Sequence, residues 1–192
     1  MNTKKTSIAK KENINYMFVD AETDGLYGKF ISIAMVVADH AGNELEHIYI
    51  GLSNPEKHIK EKWVRENVLP ILGEYEEYED EHSLLEAAWS FWRAHAQNSY
   101  IIVDVMHPVE SRLFTRCVEH NIEERIFQGP FPLLDLSSML YAIGINPSEA
   151  REKLVKPLDD GIQHNALYDA RMAMAIWKKY IFPNLQNNRR NE

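Results

Sequence analysis

Asp20 and Glu22 stand two residues apart in "FVDAETDGL", just after the apolar residues Tyr16, Met17, Phe18 and Val19. Side chains at i and i+2 of a strand share one face, so the two carboxylates lie side by side. Like charges at that range repel unless one takes a proton or a cation lies between them. Paired hard oxygen donors suit Mg²⁺ or Mn²⁺. Asp-x-Glu is also an ordinary pairing at a solvated strand end, so the motif alone decides little.

Two further stretches carry residues of the same chemistry. In "QHNALYDA", His164 and Asp169 are five apart, about 140° around a helix. Inside one helix they diverge. With His164 in the loop leading in and Asp169 one turn inside, both converge on one point. In "VDVMHPVESRLF" a strand gives way to a helix, the kind of junction where open α/β sheets gather their sites. Asp104 ends that strand. Glu110 falls in the helix's first turn, where an acid is also a routine partner of the helix dipole.

The elements that must position these residues are legible from pattern. Residues 14–19 read as a short buried strand, "FISIAMVVAD" as a long β-branched one, and "ELEHIYI" as a third, forming an antiparallel meander. "SNPEKHIKEKWVREN" reads as a helix capped by Ser53 or Asn54 with Pro55 at its first position. The acidic stretch "GEYEEYEDEH" reads as a solvated loop, and Ser83 with Glu86 as the capping box of the helix that follows. "YIIVDV" is a continuous apolar strand, and "FPLLDL" a fifth strand running into a helix at Asp135. A last helix spans "QHNALYDARMAMAIWKKYIF". The expected organisation is a flexible segment over 1–13, one domain over 14–182 and a polar tail over 183–192, with an α/β fold of three layers.

Taken in order, Asp20-x-Glu22, an acid after the fourth strand and His164-x4-Asp169 resemble the DEDDh branch of the 3′→5′ exonuclease superfamily, across about residues 14–181. The resemblance implies a ribonuclease-H-like fold with a central mixed five-stranded sheet flanked by helices. It implies two Mg²⁺ or Mn²⁺ ions, with Asp20 bridging both, Glu22 and Asp169 on one, and the second-motif acid helping to hold the other. It likewise implies that His164 takes a proton from the attacking water and that the product is a nucleoside 5′-monophosphate. The second motif departs from the family's usual Asp: aligned on Leu113-Phe114 it is Glu110, while Asp104 lies six residues earlier and remains the other candidate ligand. Thr23, Gly25 and Leu26 occupy the stretch that contacts the terminal nucleotide in relatives, with Leu26 the candidate wedge and plain packing its equal rival. Arg112, with Arg116 at i+4, is a candidate phosphate contact, though a solvated helix face explains both as well. A homodimer is what the small free-standing relatives suggest.

Composition bounds the reading. Of 192 residues, 21 are Lys or Arg and 29 Asp or Glu, for a net charge of −8, which argues against a protein that coats long nucleic acid non-specifically. A single cysteine, Cys117, leaves no intramolecular disulfide framework and fits a cytoplasmic setting. No stretch reads as a membrane span. The expected partner is single-stranded or short RNA or DNA with a free 3′ end. Two other readings stand beside it: an impaired nucleic-acid-binding module on the same fold, and a phosphohydrolase of small nucleotides.

Overall fold

The computed structural model describes residues 14–158 and 161–190, and the segment expected to be flexible, 1–13, lies outside the described residues. The meander forms as the alternation requires. β1 (Asn15–Thr23) pairs antiparallel with β2 (Phe30–Ala38), which pairs antiparallel with β3 (Glu44–Leu52). A 3₁₀ turn at Pro55–Lys57 leads to α1 (Lys62–Asn67), and β4 (Glu76–Tyr78) then joins β3 in parallel. α2 (Glu81–His95) precedes β5 (Ser99–Val103), which lies parallel to β1. α3 (Ser111–Glu119) and α4 (Ile122–Arg125) lead to β6 (Leu133–Asp135), parallel to β5. α5 (Leu136–Ala142), α6 (Arg151–Leu154), α7 (Ala166–Ile176) and α8 (Phe182–Arg190) complete the order. The sheet runs β4-β3-β2-β1-β5-β6.

Three expectations need correction. The sheet has six strands rather than five, because three residues of the acidic segment pair with β3 instead of remaining loop. The helix expected from Pro55 stops after one 3₁₀ turn: the amides of Lys60 and Glu61 donate to the Asp24 carboxylate (2.8–3.0 Å) rather than to a preceding turn. The capping box of α2 is Asp80 with Ser83, at 2.8 Å from the Ser83 amide to Asp80 Oδ1. Glu86 turns away to Arg125 (2.6 Å) and His120 (3.0 Å).

Strand alternation divides β1 between two cores. Met17, Val19 and Ala21 face α2 and α3, packing with Leu84, Leu85, Trp89 and Leu113. Phe18 faces the other way, with Ala34, Val36 and Ile102, against α5 and α7. Continue that second row beyond Phe18 and the next two side chains are Asp20 and Glu22. The buried row becomes acidic where the strand leaves its partner β5, whose pairing ends at Val19 opposite Val103.

α7 approaches this face closely because small residues line its buried side: Ala166, Ala170 and Ala173 are each at most 3% exposed. Trp177, beyond its end, fills the space against Tyr16 and Phe18, with ring centroids 4.4 and 5.9 Å away. On the opposite face Cys117 is fully covered, and burial pushes its thiol up to about 12, so it acts as an inert packing residue. Among the described residues no helix is long and apolar enough to cross a membrane. Ala170→Leu should overpack the α7–sheet contact and cost about 1–3 kcal/mol in urea denaturation. An unchanged midpoint would mean that α7 has slack at this position.

Candidate active site

The acid row on β1 meets two other elements at the sheet's end. Asp169 lies in the first turn of α7, and its carboxylate accepts from the His164 amide at 2.7 Å. Glu110 closes the wide turn Met106–Glu110 between β5 and α3, is 7% exposed, and accepts from the backbone amides of Ala21 and of Glu110 itself. The Ala21 amide lies just past the last β1–β5 pair, so the carboxylate takes over where the ladder stops. Asp20, Glu22, Glu110, Asp169 and His164 all line one open cleft of about 350 Å³, with Leu26, Asp104 and Arg151 among its other walls.

Burial and mutual repulsion govern these acids. Desolvation, then the charges of Glu110, Asp169 and Glu22, raise Asp20 well above the usual carboxylate range. Burial first, and neighbouring acids after it, push Glu22 up to about 8. Burial with the nearby Asp104 charge pushes Glu110 up to about 8, against the lowering effect of its amide donors. Asp169 is pushed up to about 7 by burial, with the His164 amide opposing. Glu22, His164 and Asp169 each present a donor atom within 4.8 Å of the others. The carboxylates of Asp20, Glu22, Glu110 and Asp169, each held toward its protonated form first by burial and then by neighbouring charge, are oxygen donors that fit a hard divalent cation.

His164 owes its place to the residues around it. Its backbone is left-handed (φ 71°), a conformation that costs energy for a side chain of this kind and holds only where neighbours enforce it. The Asp169 carboxylate holds the His164 amide, and the next residue, Asn165, is tied down on both sides. Its Oδ1 caps α7 by accepting from the Tyr168 amide (3.1 Å), while its Nδ2 donates to the carbonyls of Ile71 (3.1 Å) and Leu72 (2.8 Å). Trp63 of α1 meets the His164 ring edge-on at 5.1 Å.

Asp104 lines the same cleft but is differently engaged. Both of its oxygens accept from Arg151 Nε (3.0 and 2.8 Å), whose Nη2 in turn donates to Ser137 (2.7 Å). Of the substrate-contact candidates, Leu26 lines the cleft and is 61% exposed. Thr23 is buried and its hydroxyl donates to the Gly25 carbonyl (2.7 Å), which shapes the turn at Gly25 (φ 72°). The structure does not bring Arg112 to the cleft: its guanidinium lies 4.4 Å over the Phe30 ring, in a separate groove.

Trp63, Arg151 and Asn165 were missed by sequence reasoning. Asn165 carried a usable signal, an Asn directly before a helical stretch. Trp63 carried a weaker one, being off the stripe that Val64 and Val68 bury. Arg151 carried none, because its partner is 47 residues away.

No protein-family model and no curated protein matches this chain. Among solved structures it is similar to the zinc-ion-bound form of the E. coli ExoI–ssDNA complex, at 19% identity and a TM-score of 0.61, over 92% of this chain and 43% of that one. It is likewise similar to apo exonuclease I (19%, TM-score 0.61, 92% and 44%) and to exonuclease I from Methylocaldum szegediense (15%, TM-score 0.58, 91% and 42%). The fold is therefore the ribonuclease-H-like α/β fold, with the mixed sheet flanked by helices. More particularly, it is the fold these exonuclease I structures share, of whose length this chain spans less than half.

A carboxylate whose folded pKa is raised stabilises the protein below its unfolded pKa and loses that contribution as pH climbs through the folded value. The metal-free protein should therefore lose thermal stability between pH 4.5 and about 8. Mg²⁺ or Mn²⁺ should raise Tm more at pH 8 than at pH 4.5, measured by scanning calorimetry with and without chelator. A Tm of the chelated protein that climbs over this range would remove the electrostatic case for a cation.

Proposed function

We propose that this chain is a divalent-cation-dependent 3′→5′ exonuclease that releases nucleoside 5′-monophosphates from single-stranded or short nucleic acid. The observation that carries the proposal is the convergence of Asp20, Glu22, Glu110 and Asp169, from three separate elements, beside His164 in one open cleft. The fold shared with exonuclease I structures, one of them described as an ssDNA complex with zinc bound, supports the same reading.

In this reading the four carboxylates hold two Mg²⁺ or Mn²⁺ ions. When bound, the ions stabilise charge on the attacking and leaving oxygens of the phosphodiester. The chain's own residues do the rest. His164 accepts the proton of the attacking water on its ring, which Trp63 and the Asn165 cap keep aimed into the cleft. The water oxygen bonds to phosphorus as the bond to the 3′ oxygen of the preceding nucleotide breaks, and that oxygen leaves with a proton. Leu26, exposed at the cleft's lip, packs beside the terminal base. Glu110 is favoured over Asp104 as the fourth ligand, because Asp104 already has its charge balanced by Arg151 and Glu110 has no basic partner among the described residues.

A 3′-labelled oligonucleotide should lose label as mononucleotide from the first time point, with Mg²⁺ or Mn²⁺ and not in excess chelator. Persistence of activity in chelator, or internal cuts as first products, would defeat the proposal. His164→Ala should lower turnover by about 10²–10⁴-fold, the range for a positioned general base, with Mn²⁺ affinity kept. Loss of Mn²⁺ affinity with turnover retained at saturating metal would reassign His164 as a ligand.

Glu110→Gln and Asp104→Asn separate the two second-motif candidates. Asp104→Asn should cost about 10–100-fold, as loss of a group outside the ligand set does. Glu110→Gln should cost more and weaken Mn²⁺ binding in calorimetry. The opposite ranking would place the ligand at Asp104.

A further inference from the structure

Beside the acid cleft, on the far side of the turn that carries Leu26, lies a second groove of about 510 Å³ with the opposite charge. Lys29, Lys57, Lys60, Arg112 and Arg116 line it, in a chain whose net charge is −8. Its two carboxylates, Asp24 and Glu81, are already engaged. Asp24 accepts from the amides of Lys60 (3.0 Å) and Glu61 (2.8 Å). Glu81 accepts from the Phe30 amide (3.0 Å) and lies 3.6 Å from Arg116. Among the described residues, Lys29, Lys57 and Lys60 take part in no ion pair, and Arg112 holds Nε and Nη2 buried without an acceptor. Arg116 also lies 3.8 Å from Glu119, and even so five cations against two carboxylates leave a local excess of positive charge, the footprint of a polyanion site.

The groove and the cleft lie on either side of one turn. Asp24 and Tyr27 line the one and Leu26 the other, so a single turn divides them. Tyr27 stands 71% exposed on that turn, an aromatic face beside a basic track. Stacking faces along an electrostatic groove are how single strands are held without regard to sequence. We infer that this groove binds the backbone phosphates of the strand upstream of its 3′ end, with Tyr27 stacking on a base as the strand crosses the turn. This rests on the exonuclease reading for its direction, since the 3′ end must lie in the acid cleft. A short substrate fills the cleft alone, whereas a longer one occupies both.

The test uses the full chain and its Lys57→Gln/Lys60→Gln variant, both positions being exposed. Fluorescence anisotropy in Ca²⁺ reads binding of a 5′-labelled single-stranded dodecamer and of a dinucleotide. For the dodecamer, Kd should weaken about tenfold, and the slope of log Kd against log salt should shrink by about 1.4, two contacts at about 0.7 each on a single strand. The dinucleotide should bind the variant as it binds the unaltered chain. Equal weakening for both lengths, an unchanged salt slope, or an unaltered chain that fails to bind the dodecamer would overturn the groove. If the length-dependent loss appears but the unaltered chain hydrolyses neither ligand in Mn²⁺, the groove stands and the exonuclease reading falls. Millimolar inorganic phosphate displacing the dodecamer from the unaltered chain, but not from the variant, would assign the groove to free anions and overturn the strand path.

Discussion

The crowding of four carboxylates into a site that desolvates them is the constraint around which the rest of this structure is arranged. Asp20, Glu22, Glu110 and Asp169 would relax apart if their mounts allowed it. The mounts do not: one is a strand with neighbours on both sides, one a turn whose acid is held by backbone amides, one a helix seated on alanines. Each acid is tied to a structure whose stability comes from apolar packing elsewhere. The two hydrophobic cores, one on each face of β1, thus do more than hold the fold together. They supply the rigidity that keeps charge concentrated.

The neighbourhood then divides according to sign. Asp104 lines the same cleft as the acids, yet Arg151 balances it, whereas among the described residues Asp20, Glu22, Glu110 and Asp169 make no ion pair. Basic side chains are gathered on the other side of the Leu26 turn. On the proposed reading, an acidic protein would handle an acidic polymer in this way, with the attraction kept local and the repulsion masked by cations at the acids.

How much of this could be read from the chain depended on the range of the interaction concerned. Asp20 and Glu22 were legible because strand alternation is a local rule, and the buried row leading to them is visible as Phe18 and its neighbours. The loop-then-helix placement of His164 and Asp169 was legible as the one arrangement that lets residues five apart converge. The fold class followed from the order of strands and helices. β4 was not legible, since "EEY" is a poor strand by composition and pairs because β3 offers it an edge. The early end of the helix at Pro55 depended on the distant Asp24, and the engagement of Asp104 on Arg151. Arg112 was read as a candidate phosphate contact on a helix face; that its guanidinium lies over Phe30, outside the acid cleft, is something no helical spacing reveals.

Asn165 has a consequence beyond the cleft. With one side chain it joins the start of α7 to the carbonyls of residues 71 and 72, a few residues after the helix α1 that carries Trp63. The imidazole beside it is therefore referenced to the body of the domain at its own doorstep, and the chain leading into it has no surveying to do. A surface exchange that leaves these hydrogen bonds in place keeps the cap and its moorings together. An exchange of Asn165 for Asp, by contrast, would keep the cap and sever the moorings, leaving a well-folded protein whose histidine wanders.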